Sequence, residues 1–155
     1  MSTKEKTFKT INPTTEEAIK TYDLMSDGEA IKAVERCHKA FEEWRQVSIS
    51  DRAKIIKAIG KKLNSEKESL AKLMTKEMGK LIAHGHQEIE LCAGICEYTA
   101  KQGKEFLKDE ERELPDGGRG IINYSPLGVI YGIQPWNFPA YQVIRYSIVN
   151  LMAGN

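Results

Sequence analysis

Residues 126–139, Pro-Leu-Gly-Val-Ile-Tyr-Gly-Ile-Gln-Pro-Trp-Asn-Phe-Pro, decide how this chain is read. Gly128 to Ile133 is a short, almost continuous apolar run bounded by turn residues, and reads as a buried strand. Pro139 to Met152 reads as a largely apolar helix. A strand followed by a crossover helix opens a parallel α/β sheet, and the residues between the two lie at the carboxyl end of the strand, where such sheets bind ligands. An Asn held there, Asn137, carries an amide that can donate to an oxyanion and has no titratable proton to lose. Trp136 adds an apolar wall with one donor. The same residues also fit a plain loop with a helix cap, and the spacing leaves both readings open.

Upstream of this stretch the pattern is mostly helical. Between Phe8 and Leu24 the turn signal Asn12-Pro13-Thr14-Thr15 separates two stretches with β-branched and aromatic residues, so a small β-hairpin is expected. Ser26-Asp27-Gly28-Glu29 is a capping box, and Ile31, Val34, Phe41 and Trp44 follow at helical spacing as far as about Arg45. A second helix is expected from near Ser50 to Asn64, with Ile55, Ile56, Ile59 and Leu63 as its apolar stripe. Ser65-Glu66-Lys67-Glu68 reads as the cap of a third, whose face is Leu70, Leu73, Met74 and Met78 and whose stop is Gly79. A long helix from about Ile82 to Leu107 carries Ile89, Cys92, Ala93, Cys96, Ala100 and Gly103 on one side. The charged run Lys108 to Glu113 reads as a solvated link, and Pro115-Asp116-Gly117-Gly118 makes Leu114 to Tyr124 a projecting hairpin.

Composition narrows the function classes. The 155 residues fit one domain, and 41% apolar with 29% charged residues is an ordinary soluble balance. With 23 Lys and Arg against 22 Asp and Glu, no bulk field draws the chain to nucleic acid or to a membrane surface. The lysines at 54, 57, 61 and 62 read as a solvated helix face, since no aromatic platform accompanies them. Small molecules and other subunits are the expected partners. Met1 to Lys6 has no signal-peptide pattern, and no apolar run approaches the ~18 residues of a membrane span, so a cytoplasmic location is expected. The three cysteines sit in helical patterns and form no disulfide framework. His84, His86, Cys92 and Cys96 are metal-ligand types, but they are softly spaced along one helix with no further anchor, so a core face carrying the Cys92 and Cys96 sulfurs is the reading and no metal is expected. Cys37 and His38 are adjacent on a helix and so do not face each other.

The motif Pro135-Trp136-Asn137-Phe138-Pro139, between a Pro-Leu-Gly-Val strand and a helix ending Leu151-Met152-Ala153-Gly154-Asn155, resembles the aldehyde dehydrogenase superfamily. Ile11-Asn12-Pro13-Thr14 is similar to that family's opening hairpin, Trp44-Arg45 to the end of its first helix, and Glu77-Met78-Gly79-Lys80 to its E-x-G-K segment. The likeness covers essentially the whole chain, and its motifs are long and correctly ordered. It implies an α/β class: a truncated aldehyde dehydrogenase fold with an N-terminal hairpin and helices over 1–107. An oligomerisation hairpin over 108–125 and the first strand-helix unit of a Rossmann-like parallel sheet over 126–155 complete it.

The resemblance also implies a mechanism. A cysteine thiolate attacks the aldehyde, an Asn side chain and a backbone N–H hold the oxyanion, hydride passes to NAD or NADP, and a Glu-activated water hydrolyses the thioester. Asn137 matches the oxyanion Asn, and Ile133, Gln134, Pro135 and Trp136, with Asn137, match the stretch lining the nicotinamide side of the cofactor cleft. Arg145, within Tyr141-Gln142-Val143-Ile144-Arg145-Tyr146, looks closest to succinate-semialdehyde dehydrogenases. There an Arg can clamp the distal carboxylate with two parallel hydrogen bonds; a surface salt bridge or a subunit contact is its other reading. None of the three cysteines matches the family's nucleophile, and the Glu base and adenosine-ribose contacts belong to later parts of the family's chain. The segment alone is therefore expected to be inactive, and to act with the remainder of the enzyme, as a homo-oligomer when complete. The competing function class is a non-catalytic helical module that binds partner subunits.

Overall fold

The computed structural model describes residues 7–155. The signal-peptide reading of Met1 to Lys6 lies outside them. Strands β1 (Thr7–Ile11) and β2 (Ala18–Asp23) form the expected antiparallel hairpin, with Thr7 opposite Asp23 and a bulge between Thr10 and Ile11. Asn12 closes its turn: the side-chain oxygen accepts from Thr14 N at 2.9 Å, and the backbone carbonyl accepts from Glu16 N.

Five helices come after this hairpin in the chain: α1 (Asp27–Trp44), α2 (Ile49–Ser65), α3 (Lys67–Met78), α4 (Ile82–Phe106) and α5 (Pro139–Ala153). The capping box at α1 is formed, Glu29 N donating to Ser26 Oγ and Ser26 N to the Glu29 carboxylate. Its apolar stripe, however, is only half used. Ile31 and Val34 are more than half exposed, whereas Phe41 is buried and the Trp44 indole donates to the Leu151 carbonyl at 3.0 Å. The C-terminal end of α1 therefore docks on α5, and its N-terminal half finds no cover among the described residues.

Helix α4 is the axis of the bundle and packs against α2, α3 and α5. Its length and its small residues explain this. Gly60 of α2 lies so close to α4 that a Cβ there would stand 2.9 Å from Cys96 Cβ and 3.2 Å from the Ala93 carbonyl. The core between α2, α4 and α5 is Ile56, Cys96, Ile148 and Met152, ringed by Ile49, Ala53, Ile59, Leu63 and Ile144. Burying such side chains stabilises by about 1.5–3 kcal/mol each. Ile55 and Leu73, assigned to core stripes from their spacing, are instead close to half exposed, at the edge of each contact. Cys92 and Cys96 are fully buried, as expected of the inner face of α4.

Three local expectations are corrected. Ser65 does not cap α3: it is still the last residue of α2, and its hydroxyl donates back to the Lys62 carbonyl at 2.8 Å. The link between the helices is a single residue, Glu66, whose side chain makes no cap bond to α3. The charged run after α4 is not a link but strand β3 (Glu110–Glu113), paired antiparallel with β4 (Arg119–Ile122) from Glu110↔Ile122 to Glu113↔Arg119. The hairpin thus begins before Leu114. A ribbon with solvent on both faces needs no apolar alternation, so its first strand left no pattern to read.

The third correction concerns Gly128 to Ile133. The segment joins no ladder among the described residues, and it is half-buried with a period of two. Leu127, Tyr131 and Ile133 point outward at 84–89% exposure, while Gly128 is buried and Ile130 and Gly132 are partly covered. What seats it is side-chain chemistry. Asn155 Oδ1 accepts from Leu127 N at 2.6 Å and Gly128 N at 3.1 Å, and the Tyr146 ring lies directly over Gly132. Among the described residues the α/β class is carried by five helices and two small antiparallel sheets, and no parallel sheet is formed.

Candidate functional site

Residues Gln134 to Phe138 turn the chain from the seated segment into α5. Pro139 opens that helix, and with no N–H of its own it leaves no donor unpaired there. Phe138 stands at the N-cap position with φ −133° and ψ 70°, and its side chain has no acceptor for the amides that follow. Those amides go elsewhere: Ala140 N and Tyr141 N donate to Glu88 Oε1 at 2.9 and 3.0 Å. Glu88 projects from α4, 3% exposed, on the same face as Gly85, Ile89 and Cys92. A carboxylate at a helix N-terminus meets both the free N–H groups and the positive end of the helix dipole.

The second Glu88 oxygen accepts from Lys80 Nζ, and the two side chains are 1% and 8% exposed. Lys80 Nζ also donates to the Asn137 carbonyl at 3.1 Å and lies 3.9 Å from the centre of the Phe138 ring. A fully enclosed ion pair thus grips the loop at its Asn137 carbonyl, its Phe138 ring and the first amides of α5. Lys80 reaches this position because Gly79 ends α3 in a left-handed turn, φ 70°, and sends the chain back under the loop.

Asn137 is therefore held by its backbone while its side chain is exposed and makes no hydrogen bond to any described residue. The alternative of Asn137 as the helix cap does not arise, since Phe138 occupies that position. Ile133 and Trp136 are 84% and 76% exposed, Pro135 is exposed and Gln134 is partly covered, so an open, largely apolar surface borders the Asn137 amide. Arg145 lies on α5, exposed, its guanidinium 5.4 Å from the centre of the Tyr141 ring one turn earlier. No carboxylate among the described residues pairs with it, and no contact joins it to Asn137.

The thiols stand apart from this site. Burial first, and then the nearby Glu88 charge, push the Cys92 thiol up to about 12, and burial raises Cys96 as well. Both are thus held protonated and inert. Cys37 is exposed on α1. His86 pairs with Glu68 at 2.8 Å, and among the described residues no three His, Cys, Asp or Glu side chains converge as a metal-ligand set.

Two members of the site, Lys80 and Glu88, were not singled out by sequence reasoning. Lys80 was noticed only within the E-x-G-K likeness. Glu88 had a readable signal: it is an acid three residues after Gly85 and four before Cys92, on an otherwise small and apolar stripe. A buried carboxylate requires a cation or several donors.

Comparison with known proteins places these features in context. The model of the aldehyde dehydrogenase family matches residues 1–155. A succinate-semialdehyde dehydrogenase (NADP+) of Deinococcus radiodurans is 38% identical over 151 residues, 97% of this chain and 31% of the relative. A succinate semialdehyde dehydrogenase (NAD(P)+) of Escherichia coli is 35% identical over 94% of the chain and 31% of its own length. Among solved structures, succinic semialdehyde dehydrogenase from Streptococcus pyogenes in complex with NADP+ superposes with a TM-score of 0.90 at 34% identity, over 96% of this chain and 32% of that one. The chain thus spans about a third of the length of the relatives it matches.

Proposed function

The chain belongs to the aldehyde dehydrogenase family, and from that premise we propose that the full-length protein oxidises an aldehyde, succinic semialdehyde foremost, to its carboxylic acid with NADP+ or NAD+. The observation that carries the proposal is the Asn137 loop: a backbone gripped by a buried ion pair and a side-chain amide left free to donate. In this reading Asn137 donates to the oxygen that gains negative charge as the carbonyl is attacked, a role in which a pre-set donor acts on the transition state and pays no reorganisation at the moment of reaction. The names of the relatives support the substrate and cofactor classes.

The residues beside Asn137 fit a nicotinamide. Ile133 and Trp136 offer exposed apolar surface at the end of the seated segment, suited to a flat ring, and Gln134 and Pro135 complete that wall. When bound, the nicotinamide supplies the hydride acceptor. Arg145, exposed on the helix that begins at this loop and paired with no carboxylate among the described residues, is assigned to the distal carboxylate of the substrate. The stretch 1–107 is read as the helical part of the cofactor domain, 126–155 as the start of its sheet, and 108–125 as a subunit-contact hairpin. The hairpin's projecting, solvent-exposed ribbon supports that last role. No helix among the described residues is long and apolar enough to cross a membrane, and a cytoplasmic location is proposed.

The test is direct. Full-length protein mixed with succinic semialdehyde and either cofactor should produce the absorbance of the reduced cofactor with a one-to-one yield of acid. No reduction with succinic semialdehyde or any of a panel of aliphatic and aromatic aldehydes would refute the proposal.

A further inference from the structure

We propose that Lys80 and Glu88 are positioning residues whose joint task is to set the placement of the Asn137 amide, an inference that rests on the oxyanion reading of Asn137. A buried ion pair is weak evidence of stabilisation, because taking both charges out of water offsets their attraction, and apolar replacements of like volume are often neutral or better. What distinguishes this pair is where its bonds go. Glu88 spends one oxygen on Ala140 N and Tyr141 N and the other on Lys80. Lys80 spends its ammonium on Glu88, on the Asn137 carbonyl and on the face of Phe138. Apart from the bond between the two, every one of these contacts closes on Asn137 or on the residues just after it, Phe138, Ala140 and Tyr141. The Asn137 Cα is followed directly by an anchored carbonyl and, three and four residues later, by the pinned amides of Ala140 and Tyr141, which confines the direction in which its side chain leaves the backbone.

The pair also adds a point common to three helices, of which α3 and α5 each already pack on α4. Lys80 follows the end of α3, Glu88 belongs to α4, and the loop opens α5, so three helices are registered on one point. A displacement of about 1 Å of a catalytic donor costs on the order of a hundredfold in rate, so such an anchor acts on catalysis well before it acts on folding. The cysteine one turn along α4 is not a competing partner, since Cys92 is kept protonated in the same enclosure.

The experiment compares four forms of the full-length protein: wild type, Asn137→Ala, the volume-matched pair Lys80→Met with Glu88→Leu, and all three substitutions together. Measured are kcat and KM for succinic semialdehyde, Tm, and amide exchange over residues 134–141. The paired variant is expected to keep a Tm near that of wild type and nearly the same KM. Its kcat should fall roughly ten- to a hundredfold, with faster exchange at Ala140 and Tyr141. Adding Asn137→Ala to it should cost far less than the same change costs in wild type, because contacts that act as one unit are not additive. Full, independent multiplication of the two losses overturns the inference, as does an unchanged kcat in the paired variant. If the paired variant does not fold, Glu88→Gln, which keeps the shape and an acceptor but removes the charge, carries the same comparison. If Asn137→Ala alone leaves kcat intact, the oxyanion reading fails and the inference falls with it, an outcome distinct from additivity.

Discussion

Arg145→Ala separates substrate recognition from chemistry. Arg145 is exposed, its guanidinium lies 5.4 Å from the centre of the Tyr141 ring, and no carboxylate among the described residues pairs with it. An exposed cation–π contact is worth about 0.5–1 kcal/mol, so the substitution should lower Tm only slightly. Against a substrate carboxylate the same guanidinium offers two parallel charge-assisted bonds. A single hydrogen bond to a charged group contributes about 1.5–3 kcal/mol. The solvent exposure of Arg145 argues for taking the pair together at roughly 3 kcal/mol, which is about 140-fold in kcat/KM at about 1.4 kcal/mol per decade. The assay is steady-state oxidation of succinic semialdehyde and of butanal by full-length wild-type and variant protein. The ratio of the two kcat/KM values should fall by on the order of a hundredfold, with butanal changed by no more than a few-fold. Equal losses for both aldehydes would show that Arg145 serves structure, and the preference for a carboxylate-bearing substrate would lose its physical support.

Other consequences follow from the packing. Gly60→Ala would drive a Cβ into Cys96 Cβ and the Ala93 carbonyl, neither of which can swing away, so chemical denaturation should show a loss of about 1–3 kcal/mol despite the better helix propensity of Ala. Cys92 and Cys96 should react slowly with a thiol reagent in the folded protein and at once in denaturant, whereas exposed Cys37 should react immediately; rapid labelling of all three would contradict the core assignment. The Cys92 thiol is pushed up to about 12 in the fold from an ordinary value of 9.0, so the unfolded chain loses this proton first as pH rises. Its contribution to stability is complete below about pH 9 and should drain away between there and about pH 12, visible as a falling Tm that Cys92→Ala flattens.

Much of this architecture is legible in the sequence, because most of it is built from local rules. The capping box at Ser26, the stop at Gly79 and the stripe through Ile89, Cys92 and Cys96 each act within a turn or two, and each is found where its pattern puts it. The losses occur where the decisive partner is distant or absent. Ile31 and Val34 have helical spacing, but whether a stripe is buried depends on what covers it. β3 is four charged residues whose only instruction to be a strand comes from β4 across the turn. The place of Asn137, between an apolar segment and a helix, is legible in the sequence. The ion pair that holds it is not, since Lys80 and Glu88 meet the loop from 57 and 52 residues away. The helix that Glu88 caps shows no capping residue of its own.

Asn137→Ala in the full-length protein is the most direct test of the oxyanion role proposed for this side chain. The side chain is exposed and bonds to no described residue, so its removal should leave Tm within experimental error of wild type. As an oxyanion donor its loss should lower kcat about a hundred- to a thousandfold, equally for succinic semialdehyde and butanal, with KM little changed. A variant that turns over both aldehydes at the wild-type kcat would contradict the central claim.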